Sequence, residues 1–168
     1  VYSPRSRSLP DTSLSDRLSV YPTRSATKPG FIWDAYRIGA RVCREHPISL
    51  ITTHDPFSTG LPAVWLKRRF GLPLDVQNHS YFFDNHYWIA ERPLRYGFFN
   101  WLGKWVIQRA DTHRVVTAAE KEKYVAMGID PDRVVVRSTP VRLSRFTPDG
   151  PPGVRVASMG KERGYSRP

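Results

Sequence analysis

From residue 18 onward, apolar runs of strand length alternate with longer segments whose apolar positions recur every three or four residues. That order is the signature of an α/β fold. Residues 18–23 read as a strand. Residues 31–46 read as a helix, with Ile32, Ala35, Tyr36, Gly39, Val42 and Cys43 on one face and Asp34, Arg37, Arg41 and Arg44 on the other. Pro47 stops that helix, because the residue before a proline is pushed out of the helical region. A strand over 48–54, a helix over 58–70 capped by Gly71, and a strand over 73–79 follow, with Pro62 tolerable only in the first turn of its helix. Next come a long helix over 93–109, a strand over 112–117, a short helix over 118–127 and a strand over 133–138. Thr117 and Glu120 have the T-x-x-E spacing of a capping box, and Gly128 with Pro131 supplies the exit turn.

Strand, helix, strand units joined by short loops require right-handed crossovers, so a Rossmann-like, mostly parallel sheet flanked by helices is expected. Asp75 and Gln77 interrupt the apolar pattern of their strand and leave its position in the sheet open. Residues 1–17 contain no Gly-rich phosphate turn, so the domain is expected to lack a first βα unit. GPPG at 150–153 reads as a linker and 154–160 as the first strand of another domain. The expected division is a domain over 1–149 and a linker with a truncated second domain over 150–168.

The composition of 168 residues, 40% hydrophobic and 12% aromatic, is enough to bury a core. No stretch reaches the run of about 18–20 apolar residues that a membrane span needs, and the basic start lacks the apolar centre of a secretion signal. The single cysteine, Cys43, excludes disulfide and cysteine-based metal frameworks and is expected to be a buried thiol. A cytoplasmic chain is therefore expected. The 26 Lys and Arg against 15 Asp and Glu leave a net charge of +11, which attracts anionic partners. Those cations are dispersed and not interleaved with aromatics in one block, which argues against nucleic acid.

In an open parallel sheet all strands point their C-terminal ends at one edge, and ligands bind outside it. The ends here carry Thr52, Thr53, His54 and Asp55, then Asn78, His79 and Ser80, then Thr117, then Ser138 and Thr139. Any one of these could simply satisfy a turn. Their convergence on one edge instead defines a candidate site. A metal could draw on His54, Asp55, His79, Asp84 and His86, but no compact spacing such as H-E-x-x-H is present. A Ser80 nucleophile lacks a G-x-S-x-G elbow. Amide and imidazole groups suit a polar, hydroxyl-rich ligand, with a histidine to position or accept a proton.

The segment THDPFSTGLPAVWLKRRFGLPLDVQNHSYFFDN, with WIAERPL, RADTHRVVTAAEKEKYVAMGIDPDRV and PVRLSRF after it, resembles the N-terminal domain of family 4 glycosyltransferases. The resemblance covers roughly residues 30 to 160. It implies a GT-B architecture of two Rossmann-like domains, this one on the acceptor side. It further implies transfer of a glycosyl group from a nucleotide-sugar to an acceptor hydroxyl, usually with retention, and with no other cofactor and no metal. The family's active-site histidine falls on His79. Asn78 and Ser80 would line the same pocket, His54 and Asp55 would lie on the acceptor side, and Arg95 would meet an anionic group of the acceptor. The family's Gly-rich loop and the donor domain's Arg, Lys and paired glutamates are absent, so this chain alone is expected to be inactive. Thr139, Pro140, Val141 and Arg142 replace the family's Asn-Gly-Val-Asp turn.

Leu94, Phe98, Trp101, Leu102 and Trp105 recur at helical spacing and are expected to pack in the core. The other reading is a helix lying on anionic membrane, with Arg92, Arg95, Lys104 and Arg109 facing lipid at the inner face of the membrane. Two rival readings of the chain are a basic, non-catalytic interaction module and a metal-dependent hydrolase.

Overall fold

The computed structural model describes residues 9–138. A hairpin of β1 (Thr12–Ser15) and β2 (Leu18–Val20) precedes α1 (Lys28–Glu45). The α/β units follow as β3 (Ile51–Thr53), α2 (Gly60–Phe70), β4 (Leu74–Gln77), α3 (His86–Glu91), α4 (Pro93–Ile107), β5 (Thr112–Val115), α5 (Ala118–Ala126) and β6 (Val134–Val136). Strands β3 to β6 form a parallel sheet in the order β3-β4-β5-β6. The expected parallel α/β class is therefore observed. The chain divides after Ser138 into two units, and the second lies outside the described residues, as do the expected linker, the strand over 154–160 and the turn at Thr139 to Arg142.

The expected strand over 18–23 is a correction. Only Leu18–Val20 is extended, and it pairs antiparallel with Thr12–Ser15 outside the parallel sheet. Alternating Ser and Leu on either side of a two-residue turn favours a small exposed hairpin over a buried parallel strand.

Local signals account for the helix ends. Thr27 caps α1 by accepting from the Gly30 N–H, and His46, just before Pro47, is extended at φ −133° and ψ 149°. Gly71 ends α2 in the left-handed region at φ 67°, where a side chain would be strained. Pro62 sits in the first turn of α2, where its missing N–H leaves nothing unpaired. Thr117 caps α5 by accepting from Glu120 N–H at 3.2 Å. Glu120 closes the box one residue earlier than the usual motif, accepting from Val116 N–H at 3.1 Å.

Register sorts the sheet into two unlike faces. Leu74, Val76, Val115 and Val134 point toward α2, α4 and α5 and form one core with Val64, Leu102, Val106, Ile107 and Tyr124. The opposite face is polar. Asp75 accepts from Thr52 Oγ1 at 3.1 Å and from Thr112 Oγ1 at 2.9 Å, and Gln77 bridges Thr52 and Arg114. Asp75 and Gln77 thus belong to a central strand, and their neighbours on both sides satisfy them. Within the described residues the helices gather on the apolar face, and Thr52, Thr112 and Val135 remain exposed on the other.

Two burial expectations are corrected. Cys43 is half-buried, because α1 packs mainly on α2 and not on the sheet. Of the apolar positions on α4, Leu94, Phe98 and Trp101 are exposed, with Leu94 at 93%. The stripe that faces the core is Phe99, Leu102, Gly103 and Val106, spaced i, i+3, i+4 and i+7. An ideal Cβ on Gly103 would come within 2.6 Å of the Phe57 ring and 2.7 Å of the Phe83 ring, so glycine is what lets α4 approach.

Candidate functional site

Because β3, β4, β5 and β6 are parallel, the residues after them converge on one edge. His54 leaves β3 and His79 leaves β4, and His54 Nδ1 lies 3.3 Å from His79 Nε2. The rings stack at 5.5 Å with 22° between their planes. Both are exposed. At such a contact one nitrogen must carry the hydrogen and the other must accept, so the tautomers of the two rings are linked. The free nitrogens, His54 Nε2 and His79 Nδ1, face outward from the pair as one acceptor and one donor, in either order.

The residues around the pair hold it. Asp55 turns inward: Oδ1 accepts from Phe57 N–H at 2.7 Å and Thr59 N–H at 3.3 Å, while Oδ2 accepts from Thr59 Oγ1 at 2.8 Å. Its carboxylate therefore builds the turn into α2, and its role is to place His54. Thr53 Oγ1 donates to the Asp55 carbonyl at 3.2 Å and locks the same turn. Asn78 is 1% exposed, donates from Nδ2 to Glu120 Oε1 at 3.3 Å, and accepts from Ser80 N–H at 3.4 Å. It ties the end of β4 to the first turn of α5. Ser80 is exposed beside His79.

The structure thus brings His54, Asp55, Asn78, His79 and Ser80 together. Arg95 stands apart on α4, where its guanidinium lies over the Tyr96 and Phe99 rings at 5.8 and 5.7 Å. Among the described residues no hydrogen bond or ion pair joins it to the histidines. Asp84, considered with them in sequence, instead accepts from Lys104 Nζ at 2.7 Å and Asn100 Nδ2 at 3.1 Å, and Lys104 holds its carboxyl below the ordinary range. Asp84 adopts φ 53°, a left-handed turn conformation that these bonds fix.

Sequence reading missed the second role of Glu120. Its place in a capping box explained it as a local device, whereas its side chain is also the anchor for the site loop through Asn78. Also missed was α3, capped by Asn85 Oδ1 accepting from Trp88 N–H at 3.2 Å. Trp88 stacks on Tyr96 at 4.6 Å and packs against Phe57, which fixes the chain that follows the site.

A parallel α/β domain with a paired-imidazole, hydroxyl-bearing edge is the class that fold and site define. Residues 3–140 match the family described as glycosyl transferase 4-like domain, and the chain belongs to that family. It carries a glycosyltransferase domain. Comparison with curated proteins found no match. None of the helices among the described residues is long and apolar enough to cross a membrane.

Proposed function

We propose that this domain is the acceptor side of a two-domain glycosyltransferase and that His79 meets the acceptor hydroxyl. The observation that carries the reading is the His54–His79 contact of 3.3 Å at the C-terminal edge of adjacent strands. When His79 Nε2–H donates to His54 Nδ1, His79 Nδ1 is an open acceptor. It takes the proton of the acceptor O–H as that oxygen bonds to the anomeric carbon and the bond from carbon to the nucleotide's phosphate breaks. The Nε2 hydrogen passes to His54 Nδ1, and His54 Nε2 releases its proton to water. The pair thus returns charge to solvent without moving either ring and ends in the opposite tautomer, which proton exchange with water resets before the next turnover.

Ser80 lines the pocket, while Asp55 and Asn78 are positioning residues. Arg95 is a contact for an anionic group that extends away from the hydroxyl. The nucleotide-sugar, the reaction's co-substrate, is held mainly by a second α/β domain facing this edge, and the sugar is transferred with retention, the acceptor oxygen entering on the face that the phosphate leaves. Measuring nucleoside diphosphate release from a panel of nucleotide-sugars tests the split site. The 168-residue chain alone is expected to release none, and transfer by it would overturn the reading.

The exposed stripe Leu94, Phe98 and Trp101 favours a second feature, peripheral contact with anionic membrane at the cytoplasmic face. Of the four cations named for it, Lys104 pairs with Asp84 and Arg109 lies 4.0 Å over the Trp105 ring. Arg92 and Arg95 remain to meet lipid. Co-sedimentation with anionic vesicles should disappear in Arg92→Glu/Arg95→Glu, and its persistence would sink the electrostatic version.

A further inference from the structure

A groove of about 590 Å³ runs along α1, and five arginines line it: Arg24 after the hairpin, Arg37, Arg41 and Arg44 on α1, and Arg69 on α2. The lining carboxylates are Asp11 and Asp34. We infer that this groove is a binding site for a small molecule carrying two or more phosphate groups. It is separate from the His54–His79 edge: α2 starts at that edge, and Arg69 lies nine residues further along it, roughly 14 Å away.

Among the described residues two of the arginines have polar partners and three have none. Arg41 Nη2 donates to Asp11 Oδ2 at 2.8 Å and its guanidinium lies over the Tyr21 ring at 5.4 Å. Arg69 Nη1 donates to the Tyr36 hydroxyl at 3.4 Å. Arg24, Arg37 and Arg44 have neither a hydrogen-bond nor an ion-pair partner among the described residues, and all three are exposed. Five arginines face two lining carboxylates, of which Asp11 is already engaged by Arg41 and Asp34 stands one turn before Arg37 on α1.

Spacing sets the ligand's shape. Positions 37, 41 and 44 fall on one face of α1 and span about 10 Å. Guanidinium forks bind phosphate oxygens in pairs, and adjacent phosphates would be shared along this row. A single monovalent anion would leave most of the row unopposed. The groove has the volume of a small-molecule site, and its lining sets the five arginines beside Pro22, Tyr36, Ile38 and Ala40, so it offers anion contacts along with some apolar surface. The chain outside the described residues supplies more cations than anions, with Arg5, Arg7, Arg142, Arg145, Arg155, Lys161, Arg163 and Arg167 against Asp149 and Glu162, so it offers no acidic run to fill the groove.

Titration calorimetry of the 168-residue chain with inorganic pyrophosphate tests this at about 0.15 M salt, where charges more than about 8 Å apart are screened. Saturable binding is expected, weakened at least about tenfold in Arg37→Gln/Arg44→Gln, whose exposed side chains leave thermal unfolding unchanged. Lys121→Gln/Arg137→Gln, on α5 and just after β6, with the same loss of charge elsewhere, should bind as the parent does. Vesicles containing phosphoinositide separate the two sources of the phosphates. Vesicle binding that the groove variant loses and pyrophosphate displaces identifies a lipid headgroup, whereas pyrophosphate binding without vesicle binding identifies a soluble ligand. Binding of neither probe, or equal weakening in both variants, overturns the inference.

Discussion

His113 on β5 is fully buried, edge-on to the Tyr124 ring at 5.2 Å, and neither ring nitrogen has a hydrogen-bond partner. Burial, assisted by the nearby charge of Arg133, pushes its pKa down from 6.5 to about 4. The folded chain therefore holds it neutral while the unfolded chain takes up a proton below pH 6.5. The unfolded state binds more protons between these values, so this residue lowers stability as pH falls from 6.5 toward 4. The full difference is about 3.4 kcal/mol, of which about 2 kcal/mol has been lost at pH 5. Replacing His113 with Leu removes two unsatisfied nitrogens and the titration together. At pH 7.5 the variant should be equal to the parent or up to about 1 kcal/mol more stable. At pH 5 its advantage should grow by about 2 kcal/mol. Urea unfolding of both proteins at pH 7.5, 6 and 5 measures this directly. Acid also weakens the Asp84 and Asp111 carboxylates, whose partners hold them below the usual range, but that loss is common to both proteins. A stability gap that stays constant across the three pH values would refute the reasoning.

Gly103→Ala should destabilise by about 1–3 kcal/mol through overpacking against the Phe57 and Phe83 rings, and an effect below about 0.5 kcal/mol in urea unfolding would mean that α4 shifts freely. Glu120→Ala should cost about 2–3 kcal/mol, because it removes a helix cap and leaves Val116 N–H and Asn78 Nδ2 without their acceptor. Glu120→Gln, which retains acceptor oxygen, should recover a large part of that loss in thermal unfolding.

The alternation of strands and helices from residue 48 onward was legible because each signal was local. Gly71, Pro47, Thr117 and Gly128 act on the backbone within a turn of themselves, and the strands between them are short, with Leu74, Val76, Val115 and Val134 supplying their buried positions. Long-range pairing was not legible. Periodicity on α4 points to one stripe through Leu94, Phe98 and Trp101, whereas the approach of Phe57 and Phe83 to Gly103 buries the neighbouring one through Phe99, Leu102 and Val106. Asp75 looked out of place because its partners, Thr52 and Thr112, are distant in sequence and adjacent only in the sheet. The site was legible to the same degree. Topology alone brought His54 and His79 to one edge, whereas their direct contact, the inward turn of Asp55 and the Asn78–Glu120 tie depend on side-chain geometry that spacing does not encode.

The most direct test of the central claim is the turnover of His79→Ala in the protein that carries this domain with its donor-binding partner, read as nucleoside diphosphate release in the presence of acceptor. His79 is exposed, so the variant should unfold at the parent's temperature. Its kcat should fall by about 10²–10⁴ if the imidazole takes the acceptor proton. Turnover within a factor of about two of the parent, well short of that range, would contradict the assignment of this edge as the place where the acceptor hydroxyl reacts.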